Sequence, residues 1–209
     1  AGRISPRDGW IYCAALSGLS LGFGCYYIGS AYTVWTASNL LLMLGYALGL
    51  QRLFLVKNVL CGWFAISPLV GAALMTAGCG MKELYSNGTL WRLAGVGFPV
   101  QVAREILKDI EDVDIDRDVA RKLTLPLVIG DILAHRIAYA LVAVVCSAMV
   151  FTKTYWKMFA STPPLYAIGV CAGVPMCIRA SMLPLKKGEK LLKKSIYVLL
   201  AGMIGGLMM

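Results

Sequence analysis

Between Gly9 and Gln51 the chain has no charged side chain, and over all 209 residues only 15% are charged. Soluble domains carry about 25% charged and about 45–50% apolar residues. Here 59% are hydrophobic and the mean hydropathy is +0.72. So little polar surface cannot cover so much apolar surface, which excludes a soluble fold. Alternation of apolar and polar residues is missing as well, and that excludes a β-barrel. No Cys-x-x-Cys pair occurs among the seven cysteines, and an odd, scattered set does not make a disulfide scaffold. Cys13, Cys25, Cys61, Cys79, Cys146, Cys171 and Cys177 read as small apolar packing residues. The one histidine, His135, starts an apolar segment beside Arg136 and reads as an interface residue. Acids are scarce, eleven against twenty Lys and Arg, giving a net charge of +9. In so apolar a chain that balance implies a membrane surface and no nucleic-acid partner.

What remains is long apolar runs, and these predict an all-α, multi-pass transmembrane helical bundle, since backbone in lipid must satisfy its own hydrogen bonds. Segments near the roughly 20 residues a span needs are Trp10–Gly29, Thr33–Leu50, Val59–Gly80, Ile137–Thr152, Met158–Ile178 and the shorter Ser195–Met209. A further span is weaker: only eleven residues, Leu93–Ala103, separate Arg92 from Arg104. It crosses only as a helix from about Leu84 to Leu107 with snorkelling ends. With all seven crossing, one side holds sixteen Lys and Arg and the other four, Lys82, Arg92, Lys153 and Lys157. That bias predicts an integral membrane protein whose basic side faces the cytoplasm, or the matrix or stroma of an organelle. The simplest organisation is a single membrane domain over 1–209.

Eight of the eleven acids lie between Glu105 and Asp131, seven of them before Val119. Asp109, Asp112 and Asp116 are spaced i, i+3, i+7, which on one continuous helix places them within roughly 60° of each other, with Glu105 beside them. Glu111, Asp114 and Asp118 then take the opposite face. Carboxylates sharing a face repel unless a cation lies among them, and hard oxygen ligands suit Mg²⁺ with a phosphate substrate. A calcium loop is excluded, because its Gly and twelfth-position Glu are Arg117 and Leu123 here.

Bases border the same side. Tyr46, Arg52, Lys57 and Asn58 flank one loop, and Arg104, Lys108, Arg121 and Lys122 flank the acids. Acids holding Mg²⁺ opposite Lys and Arg make a diphosphate site. Arg52, Lys57, Lys108, Lys122 and Arg104 are the candidate diphosphate ligands, with Tyr46 and Asn58 beside the substrate. The run Lys186–Lys194 is assigned to positive-inside signalling, and Asn87-Gly-Thr to a turn.

These residues resemble the UbiA superfamily of intramembrane prenyltransferases. Lys108–Asp116, Thr124–Pro126 and Gly130 are similar to its second aspartate motif and the Thr-Leu-Pro segment that follows. Tyr46, Arg52 and Lys57-Asn58 resemble its Tyr-x-x-x-x-Lys-Arg…Asn loop, and Gly2–Ser5 the end of its Gly-Arg-x-Ser element. The wording Arg104–Asp112 is most similar to the geranylgeranylglyceryl phosphate branch. Ile115 stands where a Gly usually precedes the last Asp, and Gln51 where a Lys precedes Arg52, which shifts phosphate work to Arg52 or Lys57.

The resemblance implies Mg²⁺-dependent transfer of a polyprenyl group from polyprenyl diphosphate to a lipophilic acceptor, an aromatic ring or a glycerol-phosphate lipid. The implied site is Mg²⁺ on Asp109, Asp112 and Asp116, in a dry cavity among lipid-facing helices. Tyr46 would stabilise a prenyl cation through its ring or anchor the helix at the interface. The family fold has nine helices and a further Asn/Asp motif ahead of the Gly-Arg-Ile-Ser element. The expectation is therefore a domain lacking two N-terminal helices, which inserts into membranes but does not turn over alone. The competing reading is a membrane transporter or ion-binding protein, which would place ionisable residues at mid-span rather than at the boundary. A phospholipid alcohol-transferase would need a Gly-Ala-Arg sequel that Asp112–Asp116 lacks.

Overall fold

The structure, a computed structural model, describes residues 5–76, 81–118, 123–152 and 163–207. Among the described residues there are seven helices of 18 residues or more and no strand. In chain order the helices are α1 (Pro6–Phe23, running into a π-helical turn Gly24–Ile28), α2 (Ser30–Leu48), α3 (Val56–Thr76), α4 (Met81–Ser86) and α5 (Gly88–Glu111). They continue as α6 (Val113–Asp118), α7 (Leu125–Ile129), α8 (Asp131–Phe151), α9 (Pro163–Ser181) and α10 (Leu185–Leu207).

The described part of each of the seven apolar segments lies mainly on a long helix. By length and composition, three of these are sufficient to cross a membrane: Arg7–Ile28, Val56–Met75 and Asp131–Phe151. The weakest segment in sequence terms becomes the longest helix. The 24 residues of α5 reach roughly 36 Å at 1.5 Å each, enough for a bilayer core. Its start is fixed by Asn87, whose side chain accepts the Leu90 amide at 3.0 Å. The Asn-Gly-Thr sequence is thus a helix cap, within the turn reading.

The core lies where α5, α8, α9 and α10 meet. Ala103, Leu107, Ala134, Ala138, Met149, Tyr166 and Leu192 are fully buried there. Tyr166 donates to the Met149 carbonyl at 2.9 Å and Tyr139 to the Ala180 carbonyl at 3.0 Å, joining α8 to α9 through satisfied phenols. Helices α9 and α10 touch backbone to backbone: a Cβ on Gly169 would come within 2.7 Å of the Gly202 Cα. A second cluster, Val70, Leu74, Leu84 and Leu90, ties α3 to α4 and α5. By contrast α1 exposes Trp10, Leu16, Leu19 and Phe23, a surface suited to lipid.

Candidate functional site

The site is at the C-terminal end of α5, where it passes the first turn of α3. Entry to α3 is set by an unusual turn. Leu55 has φ 60°, and the Val56 amide donates to the Phe54 carbonyl at 2.7 Å, closing a γ-turn of the rare positive-φ sense. Such backbone costs of order 1–3 kcal/mol and clusters at functional positions. Its consequence is that Lys57 and Asn58, the next residues but one, face α5.

They meet Asp109. Its carboxylate has no solvent exposure; the Lys57 ammonium pairs with Oδ1, and the Asn58 amide donates to Oδ2 at 2.9 Å. Removing a carboxylate from water costs several kcal/mol, which the ammonium and the amide offset. Asn58 is itself buried, 2% exposed, so the three groups form a polar clasp across two helices. Glu105, one turn earlier on α5, is also buried. Close by, on α2 and α3, the Tyr46 hydroxyl lies 3.7 Å from the Cys61 sulfur, and the Tyr46 ring stands edge-on to Phe64 at 6.1 Å. Cys61 therefore sits in the site rather than only packing, which its spacing of four from Lys57 would have suggested.

Two loops expected on one side of the membrane are brought together at this end. Besides the clasp, the Leu123 amide donates to the Arg52 carbonyl at 3.4 Å, linking the turn before α3 to the segment before α7. The Arg52 side chain is exposed at that mouth, and Lys108 is exposed on α5. Arg104 is placed otherwise. It lies 3.3 Å from Glu105 and its Nε lies 3.8 Å from Glu189 on α10, so it holds carboxylates on two helices. Gln101 donates to the same Glu105 oxygen at 3.2 Å. Lys122 lies outside the described residues.

The acidic run departs from one continuous helix. Helix α5 stops at Glu111, Asp112 takes φ −97° and ψ 9°, and α6 begins at Val113. Electrostatics explain the break. Acids at a helix C-terminus oppose the macrodipole, and Asp and β-branched residues are weak helix formers. Restarting the helix puts Asp112 ahead of a new first turn and Asp114 within it, where negative charge is favoured. The single face for Asp109, Asp112 and Asp116, set against Asp114 and Asp118, consequently does not follow from 3.6-residue spacing. Asp112 is half-buried at the junction and Asp114 is exposed. The side chain of Asp116 lies outside the description, and among the described residues no three His, Cys, Asp or Glu side chains converge.

The donor set nonetheless suits a cation. The Asp109 carboxylate is a hard oxygen donor, and it is buried with the Lys57 ammonium as its counter-charge.

A helical integral membrane protein with a buried acid–base clasp at the end of two apolar helices is thereby defined. The chain belongs to the UbiA prenyltransferase family, whose model matches residues 1–201. Curated relatives are named digeranylgeranylglyceryl phosphate synthase. That of Methanothermobacter thermautotrophicus is 32% identical over 170 residues, covering 81% of this chain and 52% of its own. That of Haloquadratum walsbyi is 31% identical, covering 66% of this chain and 51% of its own. The chain thus spans about half the length of the curated relatives it matches. No solved structure matches at a significant level.

Proposed function

We propose that this chain carries the cation–diphosphate end of a membrane prenyl transferase, acting on a polyprenyl diphosphate and a lipophilic acceptor. The observation that carries the reading is the clasp of Asp109 by Lys57 and Asn58, within the acid motif and the loop that resemble the family's. The relatives' name supports a glycerol-phosphate lipid already bearing one geranylgeranyl chain as acceptor and geranylgeranyl diphosphate as donor. An aromatic-ring acceptor is the second choice.

Asp109 and Asp112, with Asp116 next along the chain, would hold the divalent cation, Mg²⁺ by ligand hardness. When bound, the cation supplies charge neutralisation to a departing diphosphate. Lys57 and Arg52 take the remaining phosphate oxygens; a point ammonium and a planar guanidinium at one mouth suit that task. The Tyr46 ring, beside Cys61 and Phe64, would stabilise a prenyl cation. Apolar helices around α5 exclude the water that would quench such a cation. The side of the membrane is the one bearing most Lys and Arg, cytoplasmic or matrix/stromal.

The test separates binding from turnover. The protein in lipid nanodiscs is given labelled geranylgeranyl diphosphate with Mg²⁺, and then a panel of glycerol-phosphate and aromatic acceptors. Retention of the diphosphate that requires both Mg²⁺ and Asp109 is the expected result for this end of the site. Labelled product from one acceptor class names the acceptor. Retention unaffected by chelation or by Asp109→Asn would overturn the reading.

A further inference from the structure

Helix α9 has two neighbours and meets them differently. Against α10 it packs backbone to backbone, Gly169 on Gly202. Against α8 it is held through the length of two phenols: Tyr139 of α8 reaches the Ala180 carbonyl, and Tyr166 of α9 reaches the Met149 carbonyl. Small residues let helices close up, and side chains of this length hold them apart. A groove of about 680 Å³ opens between α8 and α9. That volume is within the roughly 300–1,000 Å³ of small-molecule sites. Neither Asp109 nor the residues that clasp it border the groove.

The groove changes character along its length. Arg136, Ala140, Ala143 and Ser147 line it from α8 at spacings of four, three and four residues, which makes them one stripe. From Arg136 to Phe151, the last residue of α8, the helix rises about 22 Å, more than the roughly 15 Å of hydrocarbon in one leaflet. The alanines leave depth in the middle, and Val150 and Phe151 make the far end apolar. The near end is basic. Arg136 is exposed there and makes no ion pair among the described residues. His135 stands beside it, its ring 4.8 Å from that of Tyr139. Asp131, the nearest preceding acid, is displaced from Arg136 by about 140° around the helix. Among the described residues, none that lines the groove is acidic.

We propose that the α8–α9 groove holds an anionic membrane phospholipid, with one chain along Ala140 and Ala143 and the phosphate on Arg136. A planar guanidinium takes two phosphate oxygens at once. Basic pockets between helices at the cytoplasmic face suit such headgroups. The apolar stripe alone would accept a chain under any headgroup. Arg136 at one end selects a net negative head over a zwitterionic one. A free phosphate ion would leave the apolar length unfilled, so the groove's shape commits it to a lipid. The groove shares no residue with the Asp109 site, so the inference stands apart from the cation–diphosphate reading.

The experiment uses the full chain in phosphatidylcholine nanodiscs that contain a little phosphatidylglycerol with a photoreactive diazirine on its acyl chain. Adducts located by mass spectrometry are expected on the α8 and α9 residues of the groove. Unlabelled phosphatidylglycerol should compete for them, while further phosphatidylcholine or dissolved glycerol phosphate should not. Arg136→Gln should lower the adduct yield at limiting lipid about tenfold, the worth of one charge-assisted hydrogen bond. Arg136→Lys should retain most of it. Ala143→Trp, at an exposed position, should fill the groove and remove the adducts. Competition is read on the unaltered protein, so a variant that fails to fold leaves the test intact. Adducts competed equally by phosphatidylcholine, or unchanged in either Arg136→Gln or Ala143→Trp, would overturn the proposal. Cross-links through the groove between two copies of the chain would assign it to a dimer and overturn the lipid as well.

Discussion

Two helix pairs in this molecule are joined by opposite means. Helices α9 and α10 meet through glycine: Gly169 lies against Gly202, and a Cβ on Gly173 would strike Leu199 at 2.5 Å. Their polar contact is small, the Cys177 sulfur 3.1 Å from the Ser195 hydroxyl. Helices α3 and α5 also approach closely at Gly62, beside Phe98 and Val102, but end in a buried ion pair. Small residues suffice to dock helices in a membrane, as α9 and α10 demonstrate. A buried charge pair adds little stability over apolar packing, and removing one partner is expensive. Nothing about docking α3 on α5 therefore requires Asp109. The proposed cation–diphosphate chemistry at the mouth of the bundle would account for its place, and an ionisable group in such a setting is a functional marker.

The contrast can be broken from either side. The largest effect is expected for Asp109→Ala, which takes the buried carboxylate from the Lys57 ammonium and removes the proposed cation ligand. Stability should fall by about 3–5 kcal/mol. Cation-dependent pyrophosphate binding should vanish, as calorimetry on the nanodisc-embedded protein would read. Gly169→Leu should cost about 1–3 kcal/mol by overpacking α9 against α10. Pyrophosphate affinity of the folded fraction should be unchanged, which thermal unfolding and calorimetry together would check. A loss of binding here would mean that the two pairs are not independent. Asn58→Ala should cost about 1–3 kcal/mol, because Asp109 loses a buried donor. Smallest is the difference between Asp112→Ala and Asp114→Ala. Half-buried Asp112 should lose about tenfold in Mn²⁺ affinity, an order consistent with one of a few carboxylate ligands. Exposed Asp114 should lose little.

Much of the bundle was readable from hydropathy, because span length and charge spacing are local properties of the chain. Even the short apolar stretch Leu93–Ala103 becomes a full helix, since Asn87 caps it and charged ends extend it in both directions. The site was legible in its residue types but less so in its pairings. Lys57 and Asp109 are 52 residues apart, and no periodicity links α3 to α5. Arg104 stood among the candidate phosphate ligands because it borders the acids. Its engagement with Glu189 comes from α10, 85 residues on. The break at Asp112 was foreshadowed by the opposition between clustered acids and the helix dipole, but spacing arithmetic treats a helix as uninterrupted.

We propose that the burial of Asp109 serves to hold a cation and, through it, a diphosphate. Affinity for a non-hydrolysable geranylgeranyl thiolodiphosphate, with and without Mg²⁺, in wild type and Asp109→Asn, tests it most directly. Mg²⁺ is expected to tighten binding to the wild type. In the variant, that Mg²⁺-dependent gain should fall by about a hundredfold, consistent with losing several kcal/mol of metal–phosphate stabilisation. Equal, Mg²⁺-responsive affinity in both proteins would contradict it and return Asp109 to a structural role.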